Sequence, residues 1–131
     1  MVNFHEIQVG DLLDAEYEGK KREGTVTDMN ADDKEICVET EVQAFWYAPE
    51  HLFPIPLDEN QLLKFGFERQ EDGGQSVKYL RGPFRILLPE KGNFNSFEMW
   101  YREDRRHIHH PISVHELQNH YLQMTKVDLT R

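Results

Sequence analysis

Between Leu12 and Leu57 every apolar stretch is short, and each is closed by residues that turn the chain. Leu12 and Leu13 begin a strand after Gly10 in GDLLDAEY, and Gly19 followed by KKRE marks a turn. GTVTDM places Val26 and Met29 as its apolar positions, and the polar run from Asn30 to Asp33 forms the next turn. EICVET puts Ile36 and Val38 on one face and Cys37 on the other, because side chains alternate along a strand. AFWYA is an aromatic strand broken by Pro49-Glu50, and LFPIPL closes the half. Strand and turn recurring every 8–12 residues or so is the pattern of a small barrel or curled sheet. Pro54 and Pro56 lack the N–H that a central strand must donate, so they suit an edge or an exit. The expected architecture for residues 1–56 is a small SH3-like β-barrel.

The pattern changes after Leu57. Asp58 is a good N-cap, Glu59 in the first turn suits the helix dipole, and Leu62, Leu63 and Phe65 supply an apolar side before Gly66 ends the helix. FGFERQ, the Gly73-Gly74 turn and SVKYL read as a hairpin. Gly82-Pro83 breaks that run, then FRILL and FEMWY read as strands around the PEKGN turn, and RHIHH as a last strand closed by Pro111. In the final segment Ser113 and Glu116 fit a capping box. Val114, Leu117, Tyr121 and Met124 then make one helical stripe, with His115, Gln118, Asn119 and Leu122 on the other face. The fold class expected for the whole chain is α+β: the barrel, then a helix, antiparallel strands and a C-terminal helix over 57–131.

Eight Phe, five Tyr and two Trp in 131 residues supply enough large apolar surface for a core and argue against disorder. The apolar runs fall far short of the roughly 20 residues needed to span a bilayer, and the N-terminus lacks a basic segment followed by an apolar one. Cys37 is the single cysteine, so no internal disulfide forms, and its place in the apolar stripe reads as a buried structural thiol. These features lead to the expectation of a cytoplasmic protein without membrane contact. The net charge of −9 is unevenly placed: residues 1–56 hold 13 acidic and 4 basic side chains, whereas residues 57–131 hold 11 of each. The acidic half should repel nucleic-acid phosphates, so DNA is not expected as a partner; such a surface can favour a basic protein partner or simply keep the protein soluble, and the second is its default role.

The junction IPLDENQLLKFGFE at 55–68 and the ending PISVHELQNHYLQMT at 111–125 resemble an uncharacterised family of small phage and mobile-element proteins of Bacteroidetes-type bacteria. That family pairs an IPLT-type junction and a LLxxxGF helix with a terminal VHxLQNxYxxLTG helix. Val114, His115, Leu117, Gln118, Asn119, Tyr121 and Thr125 match. Asp58 stands where Thr is common, and Met124-Thr125-Lys126 replaces Leu-Thr-Gly, so the helix end departs from the pattern. The resemblance covers the C-terminal half well and the acidic half in outline. It implies a phage-like origin, action in the host-cell cytoplasm, and a barrel joined to a helix–sheet unit. It carries no catalytic residues.

The densest group able to do chemistry is WYREDRRHIHH at 100–110, with three arginines, three histidines and two aromatics. Arginine presents forked donors to phosphate or carboxylate, and an aromatic ring can stack on a base. Arg102, Arg105, Arg106, His107 and His109 are the candidate anion ligands, with Trp100, Tyr101 or Trp46 as stacking surfaces. If the segment is a strand, Arg105, His107 and His109 share one face and Arg106, Ile108 and His110 the other. The competing reading is a solvated hairpin in which these arginines pair with Glu103 and Asp104. His107, His109, His110, His115 and His120 also invite a metal reading, but HExxH is absent and Glu116 belongs to the capping box, so no metal or cofactor is expected. No Ser lies in a nucleophile elbow, the glycines match no phosphate-binding fingerprint, and the paired carboxylates are adjacent rather than facing. In AFWYA, Phe45 and Tyr47 read as core on one face, which leaves Trp46 or Tyr47 to line a groove.

These observations lead to a non-catalytic protein that binds a small anion, with a nucleotide as the first candidate and sequestration of a host nucleotide immune signal as the anti-defence use. The alternative is an interaction module that inhibits a host protein through the acidic barrel. A third reading is a His-dependent metal-binding protein. Self-association into a homo-oligomer would bring the arginines of two copies together.

Overall fold

Residues 1–131 are all described by a computed structural model, which is mixed α+β with two antiparallel sheets and two helices. The chain forms two compact units, residues 1–55 with 113–115, and residues 56–112 with 116–131.

The first unit is a five-stranded meander. Its strands are β1 (Leu12–Tyr17), β2 (Lys20–Asn30), β3 (Glu35–Thr40), β4 (Ala44–Tyr47) and β5 (Leu52–Phe53), in the sheet order β4-β3-β2-β1-β5. Every neighbouring pair is antiparallel, and the two outer strands do not pair with each other. A 3-10 turn, Pro49–His51, precedes β5. One expectation is corrected here: KKRE is not a turn but the start of β2. The turn is only Glu18-Gly19, both at positive φ (52° and 78°), with Tyr17 paired to Lys20. Two consecutive left-handed residues make a type I′ hairpin, whose twist matches its strands, so the charged residues after it continue the ladder.

Two features curl the sheet. The β2–β3 register shifts between Val26 and Asp28, leaving Thr27 as the extra residue of a bulge that increases twist. Gly24 lies where β3 passes close: a Cβ there would stand 2.6 Å from Val38 Cγ1 and 2.7 Å from the Glu39 carbonyl oxygen. The alternation read in β3 is borne out by burial, since Ile36 and Val38 enclose a core with Leu13, Ala15, Val26 and Leu52. Cys37 takes the opposite face and is half-buried rather than enclosed, because its strand position points away from that core.

The second unit begins with α1 (Glu59–Lys64), capped as expected: the Gln61 N–H donates to Asp58 Oδ1 at 2.9 Å, and Gly66 follows the helix at φ 85°. Then come β6 (Glu68–Glu71), β7 (Val77–Arg81), β8 (Phe84–Leu88), β9 (Phe97–Tyr101) and β10 (Asp104–Ile108), an antiparallel meander in sequence order, followed by α2 (Val114–Thr125). The last strand therefore starts two residues earlier than RHIHH, because the hairpin turns at Arg102-Glu103. One sheet face carries Tyr79, Phe84, Ile86, Met99 and Phe97, all buried. Phe84 meets Tyr121 of α2 with ring centroids 4.8 Å apart. No helix is long and apolar enough to cross a membrane.

Candidate binding surfaces

Strand register decides where the Arg/His/aromatic cluster goes. Across the second sheet, Leu80, Arg85, Trp100 and Arg105 are cross-strand neighbours in one row, and Lys78, Leu87, Glu98 and His107 in the next. Both rows lie on the face away from the helices. Arg105 and His107 therefore share a face and Arg106 and Ile108 share the other, as alternation requires.

The outward face is ordered around Trp100. Its indole Nε1 donates to the Arg102 carbonyl at 2.7 Å. The Arg85 guanidinium from β8 lies 4.4 Å from the ring centroid and that of Arg105 from β10 lies 4.7 Å from it. Glu98 accepts from Arg105 Nε at 2.9 Å and lies 3.4 Å from His107 Nδ1, so one carboxylate faces two of the proposed anion ligands. Arg85 has no carboxylate partner. The His107 and His109 rings lie nearly parallel, 6.1 Å apart.

The remaining candidates lie elsewhere. Arg106 Nη1 donates to His120 Nδ1 and to Gln123 Oε1, both at 2.9 Å, on the helix face. Burial, reinforced by the Arg106 charge, holds His120 below the ordinary imidazole range. Arg102 sits in the hairpin turn at φ 54°, its guanidinium 5.1 Å from the Tyr101 ring. Trp46 belongs to the first unit. Within the second unit the structure thus gathers Trp100, Arg105, His107 and His109 and separates Arg106, Arg102 and Tyr101 from them. The histidines do not converge either: Ser113 Oγ lies 3.1 Å from His115 Nδ1, and no group of three or more His, Cys, Asp or Glu is placed to hold a metal ion.

A concave site occurs in the acidic unit. Along the inward face of β1, exposure rises from 0% at Leu13 and 2% at Ala15 to 53% at Tyr17. The core's apolar row therefore runs out to the surface at Tyr17. Phe45 and Tyr47 share the inward face of β4, opposite Val38 and Ile36. The rings form a continuous series, with Tyr17 and Phe45 centroids 5.3 Å apart and Phe45 and Tyr47 6.3 Å apart. They line a cleft of about 480 Å³ with Glu16, Glu18, Gly19, Trp46, Ala48 and His51. Neither Glu16 nor Glu18 is held in an ion pair. Burial raises the Tyr47 hydroxyl above the usual phenol range. Trp46, 46% exposed, and Tyr47, the two groove residues expected from the sequence, both line the cleft. Tyr17, Glu16 and Glu18 line it without standing out in the sequence. Their signal was an aromatic flanked by carboxylates just before a Gly turn.

A cleft bounded by aromatic faces and unpaired carboxylates favours a cation, which gains from the ring quadrupoles and from charge. No family model, curated protein or solved structure matches the chain.

Proposed function

We propose that this chain is a non-catalytic binding protein whose acidic unit holds a basic segment of a partner protein in the aromatic cleft. The observation that carries this reading is the juxtaposition of Tyr17, Phe45 and Tyr47 with Glu16 and Glu18 around one 480 Å³ opening. The charge of the same unit supports it, since 13 acidic side chains face 4 basic ones there. Strand order β5-β1-β2-β3-β4, the bulge at Thr27 and the 3-10 turn before β5 support an SH3-like description of this unit. With the phage-type resemblance of the terminal helix, we infer a host protein as partner and its inhibition in the host cytoplasm as the outcome. Titration calorimetry with a lysine-rich peptide tests the cleft. A cation–π contact contributes about 0.5–2 kcal/mol, so Tyr17→Ala should weaken binding by about 2- to 30-fold. The double variant Glu16→Gln/Glu18→Gln should weaken it too, and more so at low salt. Equal binding of a glutamate-rich peptide, or no effect of either variant, would defeat the reading.

A second reading rests on Arg85. This guanidinium lies on Trp100 beside Arg105 without a carboxylate of its own, which suits a small anion such as a nucleotide phosphate. Thermal-shift measurements with cyclic and ADP-ribose-type nucleotides test it. Stabilisation that disappears in Arg85→Ala supports this site, and no stabilisation by any of them rejects it.

A further inference from the structure

Resting on the reading that the cleft takes a basic segment, we propose how that segment is held: as an extended strand added along the open edge of β4, with basic and apolar side chains alternating.

β4 is the terminal strand of its sheet and pairs only with β3. Alternate backbone N–H and C=O groups of a four-residue edge strand point away from its neighbour, ready to pair with another chain. The other sheet edges are protected against this. β5 has only two residues, is followed by Pro54, and its Leu52 carbonyl already accepts from the Val2 N–H at 3.0 Å. β6 reads ERQE and β10 reads DRRHI, so both are edges of charged side chains. β4 reads AFWY, with no charge, no proline and no register shift. Val42 just before it is 57% exposed and Trp46 within it 46%.

The occupant's chemistry follows from the two faces of β4. A strand laid beside it places alternate side chains next to Phe45 and Tyr47, inside the cleft that Tyr17, Glu16 and Glu18 line. Those positions favour Lys or Arg. The intervening side chains fall beside Trp46 on the outer face and favour apolar residues, as cross-strand pairs do. Main-chain hydrogen bonds supply affinity in this mode and the alternate side chains supply selectivity.

The probe is a terminally blocked peptide of about six residues, a usual strand length, alternating lysine and valine. Two further versions carry backbone N-methyl groups, one at every lysine and the other at every valine. Binding is measured by calorimetry, and amide exchange at Ala44–Tyr47 is followed with each. The unmodified peptide should bind and slow exchange in β4. One N-methylated version should lose about tenfold or more in affinity, the cost of two or so hydrogen bonds, while the other, methylated on its outward edge, binds like the parent. If both methylated peptides bind like the parent, strand addition is wrong and the cleft reading stands. If no basic peptide binds in any form, the cleft reading and this inference fall together.

Discussion

Arg106 Nη1 donates to His120 Nδ1 at 2.9 Å, which ties β10 to the C-terminal helix and removes this arginine from the outward face of the sheet. The arginine is always a donor, so the imidazole nitrogen must accept and the ring must be neutral. Burial and the adjacent guanidinium both hold the His120 pKa below its usual 6.5. The folded state thus binds fewer protons than the unfolded chain as pH falls. The contribution is fully present above pH 6.5 and is lost as pH drops from there through the lowered folded value. Urea unfolding from pH 8 to pH 5 should show this fall, and His120→Gln should flatten that part of the profile.

Asp11 predicts the opposite slope. Its carboxyl is 3% exposed, accepts the Gln8 N–H at 2.9 Å, and is raised by burial from 3.8 to about 6. The folded state holds its proton longer than the unfolded chain. Stability is therefore highest below pH 3.8 for this group and declines as pH rises through about 6. Asp11→Asn keeps an acceptor for Gln8 and removes the buried charge. It should stabilise the protein at pH 7.5 by on the order of 1–3 kcal/mol and change little near pH 4. Equal stability of the two proteins at pH 7.5 would contradict this account of Asp11.

Gly24 is required by the closeness of β3. Gly24→Ala drives a methyl group into Val38 Cγ1 and the Glu39 carbonyl, at 2.6 and 2.7 Å. Overpacking of this kind costs about 1–3 kcal/mol. The melting temperature should fall by several degrees, whereas Gly74→Ala, whose added Cβ meets only Asp72 Oδ1 at 3.3 Å, should leave it nearly unchanged.

Local chemistry made much of the fold legible. Asp58 caps α1 because its side chain reaches the Gln61 N–H, a contact three residues long. Alternation separated Arg105 and His107 from Arg106 because side-chain direction in a strand depends only on parity. Charge misled at Lys20–Glu23, where a run of polar residues reads as loop but a two-residue turn leaves no slack before the ladder resumes. The sites were harder because their parts are far apart in sequence. Nothing near Arg106 announces His120, and nothing in FRILL announces that Arg85 will lie on Trp100. The cleft depends on β1 and β4, at different positions in one meander, bringing Tyr17 to Phe45. That juxtaposition follows from sheet order and curl, which no local pattern encodes.

The two tryptophans divide the candidate surfaces, Trp46 at the acidic cleft and Trp100 on the outward sheet face of the second unit. Trp100→Phe leaves an indole reporting on the cleft alone, and Trp46→Phe leaves one reporting on the sheet alone. Fluorescence of both variants is titrated with the alternating lysine–valine peptide. A saturable change from Trp46 is expected in the first variant, abolished or strongly weakened by Tyr17→Ala, and a flat response from Trp100 in the second. A saturable change from Trp100 with a flat response from Trp46 would contradict the cleft reading.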